Sequence, residues 1–312
     1  MRLPLVNEGP PRPHDRKPEW LKVRAPGGER WARLKELVRG LDLHTVCEEA
    51  RCPNLGECWG GGTLTIMLLG DTCTRGCRFC NVKTAAKPPA ADADEPVKVA
   101  SAVAALGLDY VVLTMVDRDD MADGGAEHVA RTVREIKARD PRVLVEMLAG
   151  DFLGDMAAVD AVARSGADVL AHNIETVPSL QKEVRDGRCS HELSIAVLER
   201  FKKTAPAAVT KSSIMLGLGE SEDELERCFR ELRAAGVEVL TLGQYLRPSA
   251  WHLPVVEYVT PGRFERLRER ALDHGFAFVA SGPLVRSSYR AGELFLKSSL
   301  ASRRAKTVTE LT

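Results

Sequence analysis

Seven short, mostly apolar runs alternate with six amphipathic segments along this 312-residue chain, and the alternation constrains its fold more than any other feature. The runs are Leu64 to Leu69, Tyr110 to Val116, Val143 to Leu148, Val169 to Ile174, Lys211 to Leu216, Val239 to Gln244 and Phe276 to Ala280. Their length and continuous apolar character read as strands covered on both faces. Between them lie Val97 to Ala105, Glu127 to Arg139, Asp155 to Ser165, His191 to Lys203, Glu222 to Ala235 and Pro261 to His274, with helical apolar spacing and charged outer positions. Repeated strand-helix units joined by right-handed crossovers give a parallel sheet. Their number predicts an α/β fold closed as a full or partial barrel rather than an open doubly wound sheet.

Residues 1 to about 60 fall outside this alternation. Gly9 to Pro13 and Pro26 to Gly28 mark irregular chain, and Trp31 to Val38 reads as one short helix. Lys plus Arg and Asp plus Glu are each 44, so no net field favours nucleic acid or an anionic membrane. No apolar run approaches the roughly 18 residues that span a bilayer. Eight cysteines, with no leader pattern over Met1 to Asn7, do not describe a small secreted scaffold. A reducing cytosol or organelle matrix is expected, and of these the cytoplasm.

In a barrel of this kind the loops after the strands converge on one mouth. Cys73 follows the first run and Val116-Asp117-Arg118-Asp119-Asp120 the second; Glu146 to Phe152 ends the third and His172 to Thr176 the fourth. Lys211 to Glu220 and Gln244 to Pro248 belong to the fifth and sixth. Polar residues on apolar strands are costly unless partners or ligands satisfy them, and a ligand is the more economical account here. The plainer alternatives are a solvated, internally salt-bridged turn at Asp117 to Asp120 and backbone-satisfying roles for Asn173 and Glu175.

Six of the eight cysteines form two trios, Cys47-x4-Cys52-x5-Cys58 and Cys73-x3-Cys77-x2-Cys80, and neither trio has a fourth thiolate. An iron-sulfur cube held by three protein thiolates keeps one iron free for another ligand or a substrate. Structural zinc also uses short cysteine spacings, but takes four ligands, usually from two paired knuckles, and neither trio offers that pairing. A zinc site would have to recruit His172 or another distant group. Cys189 and Cys228 match no ligand motif and read as packed or idle thiols.

The segment Cys-Thr-Arg-Gly-Cys-Arg-Phe-Cys, 73 to 80, resembles the cluster loop of the radical S-adenosylmethionine enzymes. The trio in Cys-Glu-Glu-Ala-Arg-Cys-Pro-Asn-Leu-Gly-Glu-Cys narrows the resemblance to the lipoyl synthase family. Further matching stretches are Lys17 to Leu21, Thr45 to Cys80, Thr241 to Pro261 and Ser281-Gly282-Pro283-Leu284-Val285-Arg286-Ser287-Ser288-Tyr289. The resemblance implies a partial (β/α)6 TIM-like barrel, with the seventh run leading into a C-terminal segment. Its implied division is an N-terminal extension, 1–60, the barrel, 61–282, and a C-terminal segment, 283–312, that caps the auxiliary cluster.

It further implies two 4Fe-4S clusters and S-adenosyl-L-methionine. Cys73, Cys77 and Cys80 would hold the radical-generating cluster, and Cys47, Cys52 and Cys58 the auxiliary one, capped by Ser288. An oxygen ligand on an iron that prefers thiolates is comparatively displaceable; an isolated serine there would otherwise read as a turn or helix cap. Phe79 is expected beside the adenine, Asn173 and Glu175 near the ribose or methionine, and Lys211 and Ser213 near the carboxylate. Arg185 and Arg247 are further carboxylate clamps, since a guanidinium binds carboxylate bidentately.

The implied activity is insertion of sulfur at C6 and C8 of a protein-bound octanoyl-lysine, with the auxiliary cluster as sacrificial donor. The implied partners are octanoylated lipoyl-carrier domains, of a 2-oxoacid dehydrogenase acyltransferase subunit or the glycine cleavage H protein. A reductant such as ferredoxin or flavodoxin and an iron-sulfur carrier complete the set, with no nucleic acid or membrane. Arg24, Arg30 and Arg33 are candidate contacts to an acidic carrier. The chain departs from the family pattern at Gly150, where proline is usual and where glycine is expected to loosen the loop, and at His191, where an aromatic ring is more frequent. Two rivals remain: a sulfur-inserting enzyme of the biotin synthase type, which would lack the N-terminal trio, and a non-catalytic zinc module.

Overall fold

The computed structural model describes residues 17–23, 27, 29–41, 43–50, 52–60 and 64–288. Met1 to Asn7, Gly9 to Pro13, Arg24, Pro26, Gly28, Tyr289 and the part of the C-terminal segment from 289 to 312, named above, lie outside the described residues, as do the side chains of Arg30 and Arg33. Ten strands are described: β1 His44–Thr45, β2 Thr65–Leu68, β3 Thr72–Cys73, β4 Lys83–Thr84, β5 Tyr110–Met115, β6 Leu144–Leu148, β7 Val169–Ala171, β8 Val209–Leu216, β9 Val239–Gln244 and β10 Phe278–Gly282. The helices are α1 Glu29–Gly40, α2 Val46–Glu49, α3 Leu55–Gly60, α4 Glu95–Leu106, α5 Ala126–Arg139, α6 Met156–Ala163, α7 Gln181–Val184, α8 His191–Thr204, α9 Glu222–Ala234 and α10 Pro261–Asp273.

Every expected run and amphipathic segment forms its element, with boundaries set by local chemistry. Helix starts use side-chain oxygens to satisfy first-turn N–H groups: Asp155 for α6, Ser190 for α8 and Thr260 for α10. Ser221 and Glu224 make a reciprocal capping box on α9. Helix α4 stops at Gly107, whose left-handed φ of 58° lets its N–H close onto Val103 and Ala104.

One eight-stranded sheet runs β1-β2-β5-β6-β7-β8-β9-β10. All neighbouring pairs are parallel except β1 with β2. The seventh run does more than lead into a C-terminal segment. As β10 it pairs along β9 from Phe278↔Val239 to Gly282↔Gly243, which satisfies the backbone edge β9 would otherwise leave open. The fourth run ends early, at Ala171 rather than Ile174. Ala171 pairs with Lys211, but the next bridge joins Glu175 to Ile214, so four residues on one chain span three on the other. That is a bulge, with Glu175 at a φ of 64°, and it lets the adjacent side chains His172 and Asn173 both face inward.

The outer face of the sheet packs Val111, Leu113, Val145, Met147 and Leu170 against the helices. The inner face is closed near the strand starts by Tyr110, Val112, Leu144, Val169, Val209 and Val239. Level with the upper residues of this plug, Lys211 Nζ donates to Glu146 Oε1 at 2.6 Å, and the Tyr110 hydroxyl donates to Glu146 Oε2. The chain before β2 shares the main core: Leu34, Val38, Leu43 and Trp59 pack in one cluster with Leu64, Val99 and Val103.

Both members of the Lys211–Glu146 pair are fully buried, so removing one strands the other charge. Lys211→Met is expected to cost about 3–5 kcal/mol in urea unfolding, and Lys211→Met with Glu146→Leu to recover most of that loss.

Candidate active site

The segment from Cys73 to Cys80 leaves β3 and is fastened from several sides. Thr74 donates through N and Oγ1 to the Asp117 carbonyl, each at 2.9 Å, and Thr74 Oγ1 accepts from Asp119 N at 3.1 Å. Arg75 follows, with a side chain only 1% exposed. Its Nε and Nη2 donate to Asp119 at 2.9 Å each, and its Nη1 and Nη2 to Asp151 at 2.8 and 2.7 Å. Arg188 bridges Asp119 at 2.9 Å, Asp186 at 2.8 Å and the Thr74 carbonyl at 2.8 Å. The residues after the second strand therefore divide. Arg118 and Asp120 form an internal salt bridge at 2.8 Å, with Arg118 buried rather than solvated and donating to the Leu69 carbonyl at 3.3 Å, whereas Asp117 and Asp119 turn toward the cysteine loop.

A cavity of about 550 Å³ opens above the plugged sheet interior. Cys73, Cys77 and Cys80 line one side, and Cys47, Cys52 and Ser288 also face it. Cys58 does not; it is buried nearby in the core that holds Cys47. The N-terminal and C-terminal motifs meet directly, because Asn54 Nδ2 donates to the Leu284 carbonyl at 2.5 Å. Gly243 makes this approach feasible: a Cβ there would lie 2.2 Å from the Val285 carbonyl oxygen.

Phe79, Asn173, Glu175, Arg185, Ser213 and Arg247 line the same cavity. Asn173 Nδ2 donates to Glu175 Oε1 at 3.0 Å, and burial pushes the Glu175 carboxyl above its ordinary range despite nearby Arg185. Arg185 donates to Gln181 Oε1 at 3.2 Å and to Ser194 Oγ at 2.8 Å. Arg247 donates to the carbonyls of His252, at 2.9 Å, and Ala250. Lys211 departs from its expected role: its ammonium sits under the cavity on Glu146, away from the lining, because it projects one layer lower than Ser213.

Several neighbours carried no sequence signal. Cys189, expected to be idle, lies within hydrogen-bond reach of Cys77, and its sulfur accepts from Arg75 Nη1 at 3.3 Å. Cys228 is packed in the core as expected. Gly150 also has a steric role. A Cβ there would fall 2.5 Å from Asp117 Oδ1, so the glycine makes room for that carboxylate. Desolvation pushes Asp117 up to about 6. His191 pairs with Glu231 at 2.6 Å.

The cysteine loop is built to hold its sulfurs as thiolates on a metal centre. Cys73 accepts from Arg75 N at 3.4 Å and Cys77 from Asp186 N at 3.3 Å, the hydrogen bonds that a thiolate or cluster sulfur takes. Burial pushes Cys73 up to about 12 and Cys80 up to about 11, so these thiols need a cation before they ionise. His172 cannot complete a zinc site as it stands. Its Nδ1 donates to the Ala149 carbonyl at 2.9 Å, and its Nε2 accepts from Ser194 Oγ at 3.0 Å. Beside the other trio, Asn54 Oδ1 is buried without a partner among the described residues, marking room for a polar group.

Arg75→Lys keeps the charge but loses the planar fork that spans two carboxylates. It is expected to lower iron retained by the cysteine loop at least severalfold under chelator challenge, with Arg75→Lys as folded as wild type by circular dichroism. His172 is held neutral by burial, down to about 4. Its contribution to stability is complete above the ordinary histidine range and is lost as pH falls toward 4. His172→Asn should therefore lose about 2 kcal/mol less than wild type between pH 7 and pH 5 in thermal or urea unfolding.

Residues 67–232 match the radical SAM superfamily, and residues 7–52 match the N-terminal domain of lipoyl synthase. Lipoyl synthase of Anaeromyxobacter dehalogenans is 60% identical over 92% of this chain and 98% of its own length. Human mitochondrial lipoyl synthase is 57% identical over 93% of this chain and 80% of its own. Among solved structures, Streptococcus suis SuiB bound to S-adenosylmethionine has a TM-score of 0.55 at 12% identity, covering 80% of this chain and 60% of that one. Methylornithine synthase PylB has a TM-score of 0.52 at 15% identity, covering 79% and 81%. These two show a shared fold alone. With its parallel sheet, two cysteine trios and extensive identity to these relatives, the chain belongs to the lipoyl synthase family, radical S-adenosylmethionine sulfurtransferases that use two 4Fe-4S clusters to build the lipoyl cofactor.

Proposed function

We propose that the two trios divide the labour of this reaction across one cavity. Cys73, Cys77 and Cys80 hold the cluster that binds S-adenosylmethionine, and Cys47, Cys52, Cys58 and Ser288 hold the auxiliary cluster. When bound, the first supplies an electron to S-adenosylmethionine, yielding a 5′-deoxyadenosyl radical, and the second supplies sulfur for C6 and C8 of the octanoyl chain. The observation that carries this division is that Cys47, Cys52 and Ser288 face the same cavity as Cys73, Cys77 and Cys80. The presence of the N-terminal trio, with Cys47 and Cys52 at the cavity, weighs against a biotin synthase type of enzyme.

The chain's own residues position and shield. Phe79 offers an apolar face to the adenine, while Asn173 and Glu175, aimed inward by the bulge, take ribose or methionine polar groups. Arg185, Ser213 and Arg247 receive the carboxylate. The organisation that accompanies these roles is an extension, 1–60, a barrel, 61–282, and a capping segment, 283–312. Met67, Met115 and Leu148 give the lining an apolar part suited to an alkyl chain and poor in water.

Members of this family act on lipoyl-carrier proteins. The carriers proposed here are the acyltransferase subunit of a 2-oxoacid dehydrogenase and the glycine cleavage H protein, with ferredoxin or flavodoxin as reductant and an iron-sulfur carrier for repair. No described helix is long and apolar enough to cross a membrane, and a cytoplasmic setting is proposed.

Anaerobically purified chain should contain about eight irons. Replacing Cys47, Cys52 and Cys58 by alanine should abolish sulfurated product by mass spectrometry while 5′-deoxyadenosine still forms. Product from that variant, or stoichiometric zinc in place of iron, would overturn the division of roles.

A further inference from the structure

The reaction just described requires a protein-borne substrate, and an octanoyl-lysine arm reaches only roughly 15 Å from the carrier backbone at about 1.2 Å per bond. The carrier must therefore rest on the cavity rim. Among the described residues, the large apolar side chains left exposed are Trp20, Val23, Leu153, Trp251 and Val256. Two of these, Trp251 and Val256, lie on the segment that continues from the cavity-lining stretch Gln244 to Pro248. Pro254 between them is exposed as well.

This segment is rigidly seated. Ser249 Oγ donates to His252 Nδ1 at 2.8 Å, which leaves the proton on Nε2 to be donated to the Cys80 carbonyl at 2.9 Å. Tyr245 Oη donates to the Leu253 carbonyl at 2.8 Å, Leu253 N to the Arg78 carbonyl at 3.3 Å, and Val256 N to the Gly217 carbonyl at 2.9 Å. On this support the Trp251 ring stands edge-on to His252, with centroids 5.0 Å apart, and is 61% exposed. Nearby charge is mixed, with two exposed cations on the cavity side. Arg78 is about half exposed and pairs loosely with Glu183 at 4.0 Å, exposed Lys17 lines the cavity, and Glu257, next to Val256, is neutralised by Arg263.

We infer that Trp251, Pro254 and Val256, flanked by Arg78 and Lys17, are the docking surface for the lipoyl-carrier domain. The occupant is the carrier face around the acylated lysine, with an apolar contact for the tryptophan and carboxylates for the two cations. A rigid aromatic anchor loses little conformational freedom on binding, which suits a short-lived but specific contact. The proposal rests on the carrier-protein reading and places docking on the mouth, independently of Arg24, Arg30 and Arg33.

The test uses the cluster-loaded enzyme and an octanoylated lipoyl domain. Affinity is measured by calorimetry without S-adenosylmethionine, and single-turnover sulfur insertion is followed separately on a short octanoyl-lysine peptide. Trp251→Ala and, independently, Val256→Asp should each weaken domain binding, the first about tenfold or more. Both should leave peptide conversion within about twofold of wild type, and Trp251→Phe should restore most of the affinity. Unchanged domain affinity in both variants overturns the docking surface, as does an equal loss on domain and peptide. Failure of wild type to convert the peptide, with the domain still bound through Trp251, would instead overturn the functional reading.

Discussion

The guanidinium of Arg75 is the interaction on which the site depends. A buried cation is costly unless every donor finds a partner, and here Asp119 and Asp151 each accept two of its hydrogen bonds. Asp119 follows β5 and Asp151 follows β6, so the cysteine loop is located by two adjacent strand ends at once. Arg188 extends the network to Asp186, whose carboxylate also receives Gly76 N at 2.8 Å. The loop's geometry thus inherits the register of the sheet, and a shift of one strand would separate Arg75 from one of its carboxylates.

The cavity above this network depends on a local irregularity. A regular β7 would alternate its side chains between the two faces, sending only one of His172 and Asn173 inward. The bulge opposite Lys211 to Ile214 removes that restriction, and Glu175 adopts a left-handed backbone to resume pairing. Beneath it, the Lys211–Glu146 pair forms a polar floor that is internally satisfied, leaving the layer above open to ligands.

The two chain extensions converge on the same place by different means. The first trio is fixed through the core that Leu34, Val38 and Trp59 share with the sheet's outer face. The stretch around Val285 crosses the end of β9, where Gly243 has no Cβ to obstruct it, and takes a hydrogen bond from Asn54. Two sequence-distant motifs are therefore juxtaposed by one hydrogen bond and one close backbone approach.

Periodicity alone revealed the alternating strands and helices of the main sheet, because strands buried on both faces and amphipathic helices each impose a spacing that short segments reveal, whereas the short elements β1, β3, β4, α2, α3 and α7 left no such pattern. The cysteine spacings likewise raised three-thiolate sites as an expectation without a structure, since ligand number depends on residue type and separation. Proximity across the fold was a different matter. That Cys189 lies beside Cys77, that Gly150 yields space to the Asp117 carboxylate, and that Lys211 serves Glu146 rather than the cavity were decided only by tertiary structure. The Lys211–Glu146 pairing depends on which side chains share a layer inside the sheet, and the other two on how loops from different strand ends meet; both follow from strand register, which leaves no local pattern in the chain.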